Sequence, residues 1–196
     1  AASMLTLLVT SFAPILGWQF DWVELHWMAG IALTVSIIYH IIHATFWLDF
    51  WSIWLNKDDV NEALTRFKRA MGGSAPAPRK SAKYPWDNKM YHTAIVLSAL
   101  AVVPTGLFMM VRVRTPFWER NPYLFTDGTW GWMYVLHGLS GIGLVGLTMA
   151  HIYFAIRPEK LWITKGMVFG EITKQEFLEH HDPQRWVVGG STPPRT

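Results

Sequence analysis

Apolar and polar positions fall in long alternating blocks along this chain. Four apolar runs can be read, at about 1–18, 25–51, 91–111 and 132–156. Each is near the roughly 20 residues that an α-helix needs to cross the hydrocarbon of a bilayer. The pattern predicts an all-α membrane protein, a four-helix transmembrane bundle that forms one domain over residues 1–196. The polar blocks are a loop at 56–89 and a tail at 157–196. Within the loop, Val60, Leu64, Phe67 and Met71 recur at helical spacing, so 58–71 reads as an amphipathic surface helix. Its apolar face is expected to pack on the core or lie on the membrane, with partner contact the weaker reading. Segment 72–83 (GGSAPAPRKSAK) reads as a flexible linker.

Composition agrees with this picture. Of the 196 residues, 51% are hydrophobic and 16% charged, and twelve are Trp, too apolar and aromatic a mix for an ordinary soluble domain. Trp18, Trp22 and Trp27 mark one membrane interface, and Trp47, Trp51 and Trp54 the other, as aromatic belts. There is no Cys. Disulfides, thiolate-held iron–sulfur clusters and covalent c-type haem are thereby excluded from this chain, and a redox cofactor would be held by His or Met. Ala1 lies inside an apolar run without an initiator Met or a basic flank, and we expect a short preceding segment to have been lost rather than a signal peptide cleaved.

Charge sets the expected topology. The 56–89 loop carries eight Lys or Arg against four acids, the 19–24 loop two acids and no base, and 112–129 three Arg against two acids. By the positive-inside rule, the 56–89 loop and both termini are cytoplasmic, and the other two loops face the periplasm. Nothing in this pattern suggests a nucleic-acid partner.

The candidate chemistry lies in an internal repeat. LHWMAGIAL at 25–33 matches LHGLSGIGL at 136–144; His40 follows His26 by 14 residues, as His151 follows His137. Fourteen residues is just under four turns, which places both His of a helix on nearly one face, roughly 21 Å apart. Two such helices face to face give two His pairs, each able to clamp an iron from both sides. Gly30 and Gly141, one turn beyond the first His, let a flat macrocycle approach the backbone. A bis-imidazole haem fits better than zinc, which takes more ligands at a tetrahedral point. A lone His in an apolar helix is often a packing residue. Four in register on two helices point instead to a functional site, because burying ionisable groups in a membrane is costly. His43 and His92 lie at the depth of the second pair and leave its partner open. His180 and His181, in the polar tail, are expected at the surface or facing a partner.

The residues from Tyr134 to Trp186 resemble the cytochrome b (gamma) subunit of respiratory formate dehydrogenases. They are similar also to the cytochrome b subunits of nickel–iron hydrogenases and thiosulfate reductases. The likeness is carried by LHGLSGIGL with His151 beyond it, then IYFAIRPEKLWITKGMVFGEIT and EHHDPQRW. It extends over essentially the whole chain and is weakest in the first helix. The resemblance implies a four-helix di-haem cytochrome b with two haem b groups, set in the bacterial inner membrane. It implies a membrane anchor of a respiratory complex that carries electrons between a periplasmic redox partner and a quinone near the cytoplasmic side. That partner is an iron–sulfur or multihaem cytochrome subunit with a catalytic subunit, in a complex whose oligomeric state stays open. His26 and His137 are implied as ligands of the periplasmic-side haem and His151 of the cytoplasmic-side one. The family's fourth ligand usually comes from the start of the first helix, yet no His precedes His26 here. His92 precedes Thr105 by 13 residues, and counting back 13 from its counterpart Thr10 lands upstream of Ala1. The fourth ligand is therefore upstream of Ala1 or is His40, and we take His40.

By the same resemblance, His92, Asn88, His43 and the turn at 165–170 are candidates for a quinone site beside the cytoplasmic-side haem. Arg112, Arg114 and Arg157 lie at helix ends where haem propionates would emerge, and snorkelling to the interface explains them equally well. Two rival readings are a membrane di-iron desaturase or hydroxylase, suggested by His40-x-x-His43 and His180-His181, and a His-relay transporter. The first needs about twice as many His on the cytoplasmic side, and the second leaves the His-x-x-x-Gly repeat unexplained.

Overall fold

The computed structural model describes residues 2–74, 76 and 80–186, and their regular structure is helical. Seven α-helices follow in order: α1 (Ala2–Phe12), α2 (Trp22–Trp47), α3 (Lys57–Ala70), α4 (Trp86–Met109), α5 (Asp127–Ile156), α6 (Leu161–Phe169) and α7 (Lys174–His180). Three are long and apolar enough to cross a membrane: α2, α4 with the 3₁₀ turn that extends it to Arg112, and α5. They are apolar all round, and side chains such as Val35, Leu97, Leu100, Leu139 and Ile142 are exposed. A helix bathed in hydrocarbon has that character, because lipid, unlike water, does not penalise an outward Leu.

The first apolar run differs from expectation. Its helix ends at Phe12 and does not continue to about residue 18. Pro14 and Gly17 are the local reason. The chain turns through 13–17 and closes in a Schellman motif, with Trp18 N–H donating to Ala13 O (3.0 Å), Gly17 N–H to Pro14 O (3.3 Å) and Gly17 at φ +68°. The apolar residues Ile15 and Leu16 thus sit in a turn, where hydropathy alone extends the helix.

Two compact units are distinguished, and α4 and α5 each run from one into the other. The first comprises 1–48 and 95–147. Here α1 packs on α2, and Thr10 is almost completely buried. The Thr126 hydroxyl accepts from Thr129 N–H at the start of α5, an N-cap, with Asp127 in the first turn. Trp130 is buried, its indole N–H donating to Pro122 O (2.9 Å), with the Arg112 guanidinium 5.2 Å from its ring centre.

The second unit comprises 49–94 and 148–196. Helix α3 begins with a reciprocal cap: the Asn56 side chain accepts from Asp59 N–H (3.0 Å), and the Asp59 carboxylate from Asn56 N–H (2.9 Å). The same carboxylate meets Lys89 Nζ of α4 at 2.7 Å, both side chains being buried. Gly170, at φ +76°, ends α6. A second capping box, Thr173 with Glu176, starts α7, and its hydrogen bonds hold the Glu176 carboxyl below the usual carboxylate range.

Two expectations for this unit are corrected. The end of the 72–83 segment is tied down: Lys80 Nζ donates to Leu178 O (2.7 Å), and Asp182 N–H to Ser81 O (2.9 Å). Residues 75 and 77–79 lie outside the described residues. His181 is buried rather than at the surface, with Nδ1 2.8 Å from Ala82 O, and His180 stacks on Trp162 at 4.4 Å between ring centres. The aromatic residues Phe177 and Trp186, which also pack on His181, explain why this polar-looking tail folds inward.

Candidate haem site

The first unit brings together His26 of α2 and His137 of α5. Their ring centres are 6.2 Å apart and their planes cross at 68°. Each imidazole is held from behind by a threonine of the preceding helix. His26 Nδ1 lies 2.9 Å from Thr10 Oγ1, and His137 Nδ1 lies 3.1 Å from Thr105 Oγ1.

The direction of these bonds follows from counting protons. The Thr10 hydroxyl has a single proton, which it donates to Thr6 O at 2.7 Å, back along its own helix. While it donates there it accepts from His26, whose Nδ1 in that arrangement carries the ring proton. Thr105 repeats the pattern, donating to Ala101 O at 2.6 Å. His137 Nδ1 is also 3.0 Å from Val102 O. A carbonyl oxygen cannot donate, which requires the same tautomer independently. His137 therefore keeps Nε2 as the free lone pair, the form in which His ligates a metal, and the Thr10 contact lets His26 adopt the same tautomer.

The spacing suits one iron between two rings. A metal–nitrogen bond of about 2.0 Å on each side, plus about 1.1 Å from nitrogen to ring centre, separates the centres by roughly 6 Å. Gly106 permits this placement of His137, since a Cβ there would stand 3.0 Å from the ring's Cε1. At Gly30 and Gly141 a Cβ would meet nothing within 4 Å, so both helices offer bare backbone one turn beyond the ligand. The residues present fit a bis-imidazole haem.

The other candidates are placed as follows. His40 is exposed on α2, and His43 is stacked between Tyr39 (5.8 Å) and Trp47 (5.7 Å) along the same helix. In the second unit, His151 stacks on Tyr91 at 5.7 Å, His92 meets Trp54 edge-on at 5.4 Å, and Asn88 is half-buried one turn before His92. Arg112 lies over Trp130 and Tyr134, and Arg114 reaches Glu119 at 3.6 Å with both side chains exposed. Arg157 pairs with Glu159 and lies over Tyr153. Among the described residues no three His, Asp or Glu side chains gather as a di-iron site requires. Thr10 and Thr105 are the functional residues that the His pattern does not announce. Their signal is positional, a threonine at matching places in the two halves of the repeat.

No curated protein matches the chain. The family model of prokaryotic cytochrome b561 matches residues 1–170. With its three apolar membrane-length helices and paired imidazoles, this chain belongs to the prokaryotic cytochrome b561 family, membrane proteins that bind haem b and transfer electrons across the bilayer.

Proposed function

We propose that the chain holds two bis-His haem b groups and links a periplasmic redox partner to the quinone pool, as the membrane anchor of a respiratory complex in the bacterial inner membrane. The observation that carries the reading is the His26–His137 pair, with ring centres 6.2 Å apart and each Nδ1 within hydrogen-bond distance of a threonine hydroxyl. These two residues hold the haem nearer the periplasm. His151 and His40, each 14 residues further along the same helices, are the ligands of the second. When bound, haem would supply a one-electron couple, and His26 and His137 would hold it.

The chain's own residues orient and hold. Thr10 and Thr105 fix the rings, Gly106 lets one of them approach, and the basic residues Arg112 and Arg114 are propionate partners. His92, Asn88 and His43 are the residues offered to a quinone. The aromatic segment 115–132 is the docking surface for an iron–sulfur or multihaem cytochrome subunit.

A reduced-minus-oxidised absorption spectrum of the purified chain, with haem counted per chain, tests the reading. Sharp b-type bands at two haems per chain are expected. His40→Ala and His151→Ala, made separately, are each expected to remove the same single haem. Should His40→Ala retain both, His40 is not the fourth ligand.

The threonines give a finer test. A hydrogen bond from Nδ1–H raises the basicity of a ligating imidazole, and losing such an outer partner typically costs 10–100-fold in affinity. His137 keeps Val102 O as an acceptor when Thr105 is changed, whereas His26 relies on Thr10. Thr10→Val is therefore expected to raise the midpoint potential of this haem and weaken its retention more than Thr105→Val does. Equal effects in a potentiometric titration would contradict that asymmetry.

A further inference from the structure

The amphipathic helix α3 leaves its apolar face uncovered by protein. Val60, Leu64, Phe67 and Met71, the last just beyond its end, are 52%, 61%, 66% and 74% exposed. Core packing, one of the roles expected for this face, is thus excluded within the described residues.

The rest of the helix shows where that face is held. At 100° per residue, Asp59, Ala63 and Arg66 lie along one edge of the apolar stripe. This edge is fastened to the first turn of α4, where that helix begins its span. The Asp59 carboxylate meets Lys89 Nζ at 2.7 Å, and the Arg66 guanidinium lies 5.7 Å from the Trp86 ring centre. Helix α3 is therefore pinned at the level where α4 leaves the water. The other edge carries Lys57 and Lys68, both exposed, directly beside Val60 and Leu64. The acids do not share that border. Asp58 and Glu62 fall on the opposite side of the helix, and Asp59 is consumed by Lys89. An apolar stripe with cations along its free border and acids turned away complements an anionic lipid surface.

We propose that α3 lies in the membrane–water interface, with Val60, Leu64, Phe67 and Met71 in the acyl region and Lys57 and Lys68 on anionic headgroups. The occupant of this face is the bilayer that α4 enters, not a second polypeptide. The inference stands independently of haem number and redox partner.

The chain has no cysteine, so single-cysteine variants take a nitroxide label at one site only. Leu64→Cys, Phe67→Cys, Asn61→Cys and Arg69→Cys would be labelled in the full chain. Each would be reconstituted at one copy per nanodisc, in phosphatidylcholine with or without phosphatidylglycerol. Power-saturation spectroscopy then compares collisions with oxygen, which concentrates in hydrocarbon, and with a water-soluble nickel chelate. At 64 and 67 oxygen collisions are expected to exceed nickel collisions, and at 61 and 69 the order is expected to reverse. Phosphatidylglycerol is expected to deepen the labels at 64 and 67, and Lys57→Gln with Lys68→Gln to abolish that shift. Nickel accessibility at 64 and 67 equal to that at 61 and 69 would overturn the proposal by placing the face in water. Shielding from both reagents would overturn it in favour of a protein cover. A depth indifferent to phosphatidylglycerol or to the lysine changes removes the anionic headgroups from it.

Discussion

On the proposed ligation, His137→Ala is expected to yield a folded chain that lacks one of the two haems. The residue supplies one of two imidazoles whose centres stand 6.2 Å apart, and water in its place would give the proposed haem iron a far weaker ligand. The change also strips Thr105 Oγ1 and Val102 O of their donor, but Thr105 still donates to Ala101 O, so α4 keeps its own bonds. The loss should therefore fall on haem content and not on helicity. Haem per chain and circular dichroism, measured together, separate the two. Free imidazole in the growth medium is expected to restore part of the missing haem, because it can fill the space of the deleted ring. Full haem content in His137→Ala would remove this residue from the ligand set.

The second large effect lies at the buried pair of Asp59 and Lys89, whose side chains are 5% and 6% exposed. Removing one member of a buried ion pair leaves the other charged without compensation, at a typical cost of about 3–5 kcal/mol. Lys89→Met leaves Asp59 with its cap to Asn56 N–H and removes only the pair. Asp59→Ala removes the pair and the cap together, adding about 1 kcal/mol. Both are expected to free α3 from α4, read as faster hydrogen exchange across 57–70 and a lower thermal midpoint. Asp59→Ala should be the more severe. A double change to Met at 89 and Leu at 59 should recover much of the loss, because two apolar groups leave no orphan charge. Exchange in α3 that is equal in all three variants and the parent would show that the pair does not hold the helix.

How far the sequence discloses this molecule depends on whether a feature is local. The three membrane-length helices follow from runs of apolar residues, and α3 from a period of three to four positions. The His repeat is also legible, because the same nine-residue pattern occurs twice with the same 14-residue interval. The first helix is overestimated because hydropathy reads Ile15 and Leu16 as helical, although Pro14 and Gly17 give a turn there. The roles of Thr10 and Thr105 are less legible. Their hydroxyls face a neighbouring helix only through a particular crossing, which no pattern within one segment specifies. His181 is misread for a related reason. The aromatic residues that bury it come from around it in the tail, while its hydrogen-bond partner, Ala82, is 99 residues away.

The pairing of His26 with His137 bears on how the holoprotein is made. The two imidazoles belong to the second and fifth helices, and α3, α4 and three connecting segments are synthesised between them. A nascent chain that has inserted α1 and α2 already has one ring oriented by Thr10, yet it has only half a clamp. With haem held between these two rings as proposed, loading would wait until α5 has entered the bilayer, and the cofactor would act as a late clasp on a long loop and not as an early nucleus. Once closed, the clasp opposes any escape of α5 from the assembled helices, because a group bound only to the completed form draws the equilibrium toward it. On that ligation, the distance along the chain between two histidines would set the order of events: insertion first, haem second, and stability last.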